Sequence, residues 1–305
     1  MIYTVTFNPA VDLVIGCGGI KTGAVNRLDS QEVFFGGKGI NVSLVLRELG
    51  VPSRALGFIA GFTGDAIENY LSESGIDTDF IRLEKGLSRI NVKIKTDTET
   101  ELNAPGPHIP ESDIAGLLEK LDGLRQGDTL VLAGSIPASM PADIYEKILE
   151  RLENRGIRSA VDASGELLLN VLKYKPFLIK PNNFELEEIF GVKLKDISDV
   201  IRYAKELQNM GVENVLVSMA ERGAVLLEKS GKVHVSEACR GEAVNSVGAG
   251  DSMLAGFLAG CARNDFEYAL RLGTASGGAT AFSAGLARKD EIFRLMEQLK
   301  TGEMP

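Results

Sequence analysis

Apolar and polar residues alternate between strand-like and helix-like patterns over most of the chain. From residue 129 onward, short apolar runs are separated by stretches with helical spacing. The predicted strands of this part are residues 129–133, 159–162, 177–180 and 214–218. Helices are expected to begin near Ala142 and Phe184. Because strands that alternate with helices pair in parallel, we predict an α/β fold with a doubly wound, mostly parallel sheet flanked by helices.

The N-terminal part of the chain begins with the same alternation. Residues 2–7 predict a strand, and residues 40–49 predict a helix that ends at Gly50. No internal repeat, low-complexity linker or long run of charge interrupts the sequence. We therefore expect residues 1–305 to form one domain.

Two segments, about 12–35 and 88–106, depart from this pattern and look like short strands. In the second segment, polar and apolar residues alternate strictly from Arg89 to Lys95. This alternation places polar side chains on one face of a strand and apolar side chains on the other. We predict that the two segments form a small β-sheet lid inserted into the larger core.

Composition narrows the range of functions. The chain has 305 residues, 44% of them hydrophobic, so it can bury a large core. Its net charge of −9 argues against nucleic acid as a partner. Three scattered cysteines and two histidines form no zinc or disulfide pattern. Because the sequence shows neither a signal peptide nor an apolar run of about 20 residues, we expect no membrane partner and a cytoplasmic location.

Residues 244–252 place a carboxylate directly after a glycine turn at the start of a predicted helix. Gly248 and Gly250 allow the backbone to turn its N–H groups toward an anion, and the helix dipole adds positive potential. Asp251 can accept a proton from a hydroxyl that attacks a phosphate bound there. The segment favours phosphoryl transfer. The alternative is an aspartate that only caps an amphipathic helix.

A second glycine-rich segment, residues 36–42, precedes the first predicted helix. Its glycines allow close approach of the backbone to a ligand, and Lys38 and Asn41 supply a cation and an amide. The spacing of a P-loop is absent, so a Walker-type ATPase has no support. A glycine turn with a solvated lysine is the alternative.

Asp12 follows the first predicted strand, after Asn8 and Pro9. Because open parallel sheets bind ligands beyond the carboxyl ends of their strands, Asp12 is placed to hold a sugar hydroxyl. The alternative is an aspartate that forms a turn after proline. No Gly-x-Gly-x-x-Gly follows this strand, which sets aside a dinucleotide oxidoreductase.

Two further turns follow predicted strands. In the first, Asn182 and Glu185 lie three residues apart at a helix start, where Glu185 can help hold the waters of a magnesium ion. A capping box explains the same spacing. In the second, residues 217–224 form a small-residue turn that either packs against a nucleotide or is a plain hairpin turn.

Taken in this order along the chain, these segments resemble the motifs of the PfkB/ribokinase family of carbohydrate kinases, as does the segment from Gly134 to Pro137. The resemblance covers essentially the whole chain. It implies a ribokinase-like core with a β-sheet lid, ATP as phosphate donor and Mg²⁺ as cofactor. It also implies that Asp251 is the catalytic base and that the backbone amides of Gly248, Ala249 and Gly250 bind the transferring phosphate.

The resemblance assigns further residues to the site. The implied substrate-binding residues are Asp12, Gly37, Lys38, Asn41, Arg89, Asn91, Ser135 and Asp251. The implied nucleotide-binding residues are Lys180, Asn182, Ser218, Ala220, Glu221, Gly223 and Gly250, and the metal-binding residue is Glu185. Ala220 stands where relatives often have glycine. Because alanine disfavours positive φ, the resemblance does not fix the conformation of the nucleotide loop at this residue. Asn245 and residues 283–285 lie where relatives bind potassium, which leaves K⁺ open as a cofactor.

Residues 88–93 and 100–107 resemble the lid segments of the family branch that phosphorylates fructose 1-phosphate. That branch transfers the γ-phosphate of ATP to the 6-hydroxyl and gives fructose 1,6-bisphosphate and ADP. Arg89 can bind the sugar's phosphate with a bidentate fork, and we expect Lys38 to be the second cation. The branch also implies a homodimer through the lid, with Arg27 reaching the partner's site. Kinases of tagatose 6-phosphate or fructose 6-phosphate, and a non-catalytic sugar-phosphate sensor, are the alternatives.

Overall fold

The computed structural model of the protein describes residues 1–299 and 301–303. Its strands are β1 (Ile2–Thr6), β2 (Ala10–Gly16), β3 (Ser30–Gly36), β4 (Ser53–Ala60), β5 (Asp77–Thr78), β6 (Ile81–Leu83), β7 (Arg89–Lys95), β8 (Glu99–Leu102), β9 (Thr129–Ala133), β10 (Arg158–Asp162), β11 (Leu178–Ile179), β12 (Asn214–Ser218), β13 (Ala224–Leu227), β14 (Val233–Ser236) and β15 (Thr301–Glu303). Its α-helices are α1 (Lys38–Glu48), α2 (Gly61–Glu73), α3 (Glu111–Asp122), α4 (Ile144–Leu152), α5 (Gly165–Val171), α6 (Asn183–Phe190), α7 (Ile197–Asn209), α8 (Ala249–Cys261), α9 (Phe266–Ala281) and α10 (Lys289–Met296).

The central sheet has the strand order β15-β14-β13-β12-β11-β10-β9-β1-β4-β5, and β6 pairs with β4. The pairings from β12 through β1 to β5 are parallel, while β13, β14 and β15 add an antiparallel edge. The middle strand β9 is buried at every residue, as expected for a parallel sheet covered on both faces. The predicted α/β fold is confirmed.

Helices cover the two faces of the central sheet. Residues of α3, α4, α5, α6 and α7 pack in one apolar cluster, and residues of α1, α8, α9 and α10 pack in a second. A smaller cluster joins α1 to α2. None of the helices in the described part of the chain has both the length and the apolar character that a membrane span requires.

A second, separate sheet has the order β3-β2-β7-β8, with β2 parallel to β7 and the other two pairs antiparallel. Its strands fall within or next to the two segments that were predicted to form a lid. We call this sheet the lid sheet. Register aligns Val33, Leu13, Val92 and Leu102 across the four strands on one face, and Glu32, Val14, Lys93 and Glu101 on the opposite face. The lid sheet is therefore largely apolar on one side and largely polar on the other.

Helix α1 begins at Lys38, two residues earlier than the apolar pattern predicted. Its N-cap, Gly37, has a φ of 134°, and no side chain of the cap accepts a hydrogen bond. Instead, the backbone N–H of Ile40 donates to Oγ1 of the buried Thr6 at 3.1 Å. The end of β1 therefore fixes the first turn of α1, which is a contact between distant residues that local sequence does not show.

Helix α8 lies in the interior of the molecule. Ten of its thirteen residues are buried, Asp251 and Ser252 among them, so it is not the amphipathic helix with one apolar stripe that the capping alternative assumed. Gly256 and Gly260 allow α9 to pack closely, because a Cβ on either residue would clash with the backbone of α9. The N-terminus of α8 is consequently held at a fixed place near the carboxyl ends of the parallel strands.

Candidate active site

Asp251 occupies the first turn of α8, behind an N-cap that is Gly248 in the left-handed conformation with φ of 80°. The side chain does not cap the helix, so the capping alternative is wrong. One carboxylate oxygen of Asp251 accepts a hydrogen bond of 2.8 Å from the amide Nδ2 of Asn41 on α1. Asp251 is only 5% exposed. Burial of a carboxylate without an ion pair at hydrogen-bond distance is costly and is typical of a functional site.

Several groups set the pKa of Asp251. Burial and, to a smaller extent, the nearby carboxylate of Asp162 raise this pKa, while the Asn41 hydrogen bond and the ammonium groups of Lys38 and Lys180 lower it, and the balance is a pKa of about 6. A carboxylate with a pKa near 6 is mostly ionised at neutral pH and still basic enough to accept a proton. These are the properties of a general base.

Asp162, at the carboxyl end of β10, joins the site although the sequence did not single it out. It is 2% exposed, and its two oxygens lie 3.4 Å from Nζ of Lys38 and 3.5 Å from Nζ of Lys180. The available signal was its place as the last residue of a predicted strand, where ligands of a parallel sheet gather. Asp162 holds both ammonium groups beside Asp251.

The N-terminus of α8 has the elements of an anion site. Amides in the first turn of a helix have no acceptor within the helix, which leaves the N–H groups of Gly250 and Asp251 directed away from it. The N–H of Ala249 is different, because it donates to the carbonyl of Ser246 at 3.2 Å. A Cβ on Gly250 would lie 3.1 Å from Nζ of Lys180, so the glycine makes room for this ammonium group. The site fits a phosphate group.

Asn182 and Glu185 form a capping box at the start of α6. The N–H of Glu185 donates to Oδ1 of Asn182, and the N–H of Asn182 donates to Oε2 of Glu185, both at 2.8 Å. The capping alternative is confirmed. Burial lowers the pKa of Lys38, but the carboxylates of Asp162, Asp251 and Glu185 together raise it above the ordinary value, so Glu185 is near enough to act on the Lys38 ammonium group.

Within the described residues, no three His, Cys, Asp or Glu side chains are grouped to hold a metal ion. A magnesium ion would therefore take most of its ligands from nucleotide phosphates and water, with Glu185 as a carboxylate neighbour. That donor set suits Mg²⁺, which retains several waters in nucleotide sites.

The predicted nucleotide turn joins β12 to β13 as a hairpin. Residues Ala220–Arg222 form a 3₁₀ turn, and Ala220 has φ of 49°. Alanine thus adopts the left-handed conformation that its Cβ disfavours. Ser218 pairs with Asn182 in a β-bridge, so this turn and the start of α6 are adjacent. Glu221 and Gly223 lie on the same turn, which places the predicted nucleotide residues side by side.

The predicted sugar residues Asp12 and Asn91 lie on the lid sheet. Asp12 is the third residue of β2 and not part of a turn, so the turn alternative is wrong. Nδ2 of Asn91 donates to Oδ1 of Asp12 at 2.7 Å. A Cβ on Gly36 would lie 3.2 Å from the Asn41 side chain and 3.7 Å from the Asp12 side chain. The lid sheet and α1 therefore bring Asp12 and Asn41 together on the two sides of Gly36.

Three further residues, Arg89, Lys38 and Ser135, were predicted to bind the sugar. Arg89 is half-buried at the start of β7, and its Nε is buried without a hydrogen-bond partner among the described residues. Burial lowers its pKa, against the attraction of Asp12. Lys38 faces Asp162 and not the lid sheet. Ser135 is exposed in the loop after β9, next to Gly134, whose N–H donates to the carbonyl of Asp162.

A cavity of about 920 Å³ runs between the lid sheet and α1. Asp12 and Asn41 line it, whereas Arg89, Lys38 and Asp251 do not. Its wall continues along the polar face of the lid sheet, away from Asp12. The volume is ample for a sugar phosphate.

Comparison with known proteins agrees with this geometry. The model of the pfkB family carbohydrate kinases matches residues 5–292. The chain is 46% identical to 1-phosphofructokinase of Bacillus subtilis, covering 98% of this chain and 99% of that protein. It is 38% identical to D-tagatose-1-phosphate kinase of Bacillus licheniformis, with coverage of 98% and 99%.

Solved structures agree as well. Phosphofructokinase-2 of Escherichia coli in complex with substrates and products is 27% identical, with a TM-score of 0.91 and coverage of 97% of this chain and 98% of that one. The same enzyme has been solved with potassium and in a tetrameric inhibited form. Together, the family match over residues 5–292 and the full-length relatives show that this chain belongs to the pfkB family of carbohydrate kinases and is a phosphotransferase.

Proposed function

We propose that this protein transfers the γ-phosphate of ATP to the 6-hydroxyl of fructose 1-phosphate, giving fructose 1,6-bisphosphate and ADP. The observation that carries the proposal is the buried carboxylate of Asp251, held by Asn41 at 2.8 Å in the first turn of α8. The full-length similarity to 1-phosphofructokinase supports the choice of sugar.

In the proposed reaction, Asp251 accepts the proton of the 6-hydroxyl while that oxygen attacks the γ-phosphorus and the bond to the β-phosphate oxygen breaks. Asn41 fixes the orientation of the Asp251 carboxylate. The N–H groups of Gly250 and Asp251 stabilise charge on the transferring oxygens, whereas the N–H of Ala249, which the family resemblance also implied, is bonded to Ser246. When bound, Mg²⁺ supplies further positive charge to the phosphates, near Glu185.

Lys38 and Lys180 act on the donor side of Asp251 in this proposal. Both ammonium groups lie against Asp162, within the positive region beside the start of α8. This placement supports a role for Lys38 at the transferring phosphate, in place of the contact with the sugar's phosphate that the family resemblance implies. The capping box at Asn182 and the turn with Ser218, Ala220, Glu221 and Gly223 would hold the nucleotide.

The sugar would lie between the lid sheet and the start of α1. Asp12 and Asn91 present a carboxylate and an amide that are already oriented by their mutual hydrogen bond. A Cβ on Gly37 would clash with Thr6, so this glycine lets the start of α1 lie close to the end of β1. Asn41 links the sugar side to the base. Arg89, whose Nε lacks a partner in the described part of the chain, would bind the phosphate of the sugar.

D-tagatose 1-phosphate is a second candidate acceptor, since a full-length relative is named for that activity. Fructose and tagatose differ only in the configuration of one carbon, so the lid contacts suit both. Fructose 6-phosphate and tagatose 6-phosphate place the phosphate where the 1-phosphates have the accepting hydroxyl. A non-catalytic sensor remains the distant alternative, and the intact Asp251 counts against it.

An acceptor panel tests the proposal directly. With Mg-ATP, ADP release should be fastest per enzyme with fructose 1-phosphate and slower with tagatose 1-phosphate, fructose 6-phosphate and tagatose 6-phosphate. Reaction without a sugar measures background hydrolysis. A clear preference for either 6-phosphate would contradict the proposed acceptor. Tight binding of fructose 1-phosphate without ADP release would instead establish the sensor.

Replacement of the base gives a second prediction. Asp251→Asn should lower kcat by about 10²-fold or more, because a general base is lost while the shape of the site is kept. Binding of fructose 1-phosphate, measured by calorimetry, should change little. Asp290→Asn, at an exposed aspartate in the first turn of α10, is the matched control and should retain full activity. Turnover of Asp251→Asn close to the control would exclude Asp251 as the base.

Two further features belong to the proposal. Nδ2 of Asn245 donates to the carbonyl of Ala284 at 3.2 Å, so the two segments implied for potassium are in contact. This contact and the potassium complex of phosphofructokinase-2 support K⁺ as an additional cofactor.

We also propose a cytoplasmic location, in line with the use of ATP.

We further propose a homodimer that forms through the apolar face of the lid sheet. Val33 and Leu102, at the two edges of the aligned apolar row, are 51% and 57% exposed, and Ile90 of β7 is 38% exposed. An uncovered sheet face of this kind suits a second copy, and lid pairing would bring the exposed Arg27 near the partner's site. The tetrameric form of phosphofructokinase-2 supports assembly.

A charge on this face should prevent the association. Leu102→Asp should convert a dimer of twice 32.7 kDa into a monomer in sedimentation velocity, because a carboxylate would be buried without a partner. Met210→Asp, at an exposed apolar residue after α7, is the control and should leave the mass unchanged. A monomeric wild-type protein at micromolar concentration would refute the lid dimer.

A further inference from the structure

The polar face of the lid sheet carries two lysines, Lys93 and Lys95, to which the family resemblance assigns no role. Arg89, Asn91, Lys93 and Lys95 occupy alternate positions of β7 and therefore share this face. Lys93 and Lys95 line the 920 Å³ cavity together with Asp12, whereas Arg89 does not line it. The cavity thus extends outward along β7 from the pair of Asp12 and Asn91.

Lys93 is the more enclosed of the two cavity lysines. Its side chain is 12% exposed, while Lys95 is exposed. Its ammonium group lies 3.5 Å from a carboxylate oxygen of Glu101 on β8, which is a long ion pair to a side chain that is 42% exposed. An ammonium group has three donor hydrogens, so one long ion pair leaves it able to contact a second anion.

Other charged side chains lie near Lys93 on the lid sheet and on the cavity wall. Register places Val14 beside it on β2 and Glu32 beyond Val14 on β3, and Glu32 is exposed. Asp12 is bound to Asn91. Elsewhere on the cavity wall, Arg47 pairs with Glu48 at 3.1 Å, and Arg288 and Glu291 also line the cavity. Lys93 is therefore the cavity-lining lysine that is both largely buried and nearest to Asp12 along the lid sheet.

The length of a ketohexose 1-phosphate, the proposed acceptor, suits the position of Lys93 on the lid sheet. In a ketohexose 1-phosphate, the accepting hydroxyl and the phosphate are at opposite ends of the carbon chain. With the 6-hydroxyl near Asp251 and the ring beside Asp12 and Asn91, the phosphate lies beyond that pair. Lys93 is two residues further along the same strand face than Asn91, a displacement of about 7 Å.

We propose that Lys93 is a specificity-determining residue that binds the phosphate already present on the acceptor sugar, with Glu101 holding its ammonium group in position. This inference rests on the proposed function and deepens it. Lys93 takes the place that the resemblance gave to Lys38 as a cation for this phosphate, since Lys38 is directed to Asp162 on the donor side. An unphosphorylated sugar would gain nothing from this contact.

The test compares Lys93→Met with the matched control Lys95→Met, which removes the exposed lysine at the next position on the same face. Lys93→Met should raise KM for fructose 1-phosphate by about tenfold or more, as expected for loss of a charge-assisted contact to phosphate. KM for ATP should change less than about twofold. Lys93→Arg should retain most of the affinity, because it keeps the charge.

A binding arm separates this inference from the proposed function. Calorimetry would measure fructose 1-phosphate and fructose with each variant. The wild-type protein should prefer the phosphorylated sugar, and Lys93→Met should lose most of that preference while Lys95→Met keeps it. If no phosphosugar is turned over and this pattern still holds, the kinase proposal fails and the role of Lys93 stands.

Equal KM values for Lys93→Met, Lys95→Met and the wild type would overturn the role of Lys93 and leave the kinase proposal intact. Equal rises in KM for ATP and sugar would also overturn it, because they indicate a disturbed lid and not a lost phosphate contact. Matched thermal unfolding of the two lysine variants serves as the check on folding.

Discussion

The hydrogen bond between Asn41 and Asp251 is the contact on which the rest of the site depends. It joins the first turns of α1 and α8, which are 210 residues apart in the chain, and it orients a carboxylate that burial makes more basic. Both helix starts are fixed from outside the site. Thr6 holds the first turn of α1, and the close glycine packing against α9 holds α8. The core therefore positions this carboxylate, the proposed base, before any substrate binds.

Charge is arranged in two layers around this carboxylate. On the donor side, Asp162 separates two ammonium groups and prevents the local repulsion that would otherwise push Lys38 and Lys180 apart. On the proposed acceptor side, the neutral amide of Asn91 donates a hydrogen bond to the Asp12 carboxylate. The cations of Arg89, Lys93 and Lys95 lie on the same face of the lid sheet. In the proposed reaction, the phosphate that is transferred and the phosphate of the sugar would therefore meet different sets of cations.

Sequence was most informative where function depends on local backbone geometry. The glycine turn before Asp251, the capping box of Asn182 and Glu185 and the alternation along β7 are all readable from neighbouring residues. Asp162 was missed because a strand-ending aspartate has no local pattern, and its two partners are distant in the chain. The capping alternative for Asp251 and the turn alternative for Asp12 were wrong for the same reason, since tertiary contacts decide both.

The pH dependence of kcat at saturating fructose 1-phosphate and ATP tests the central contact most directly. Because the proposed base must be ionised, kcat of the wild type should fall as pH decreases through about 6, the pKa of Asp251 that results mainly from its burial and from the nearby Asp162 carboxylate, against the opposing effects of Asn41, Lys38 and Lys180. Asn41→Ala removes a hydrogen bond that favours the ionised form, so its acidic limb should move to higher pH. A limb that stays at the wild-type pH in Asn41→Ala would contradict the role of this hydrogen bond in tuning the base.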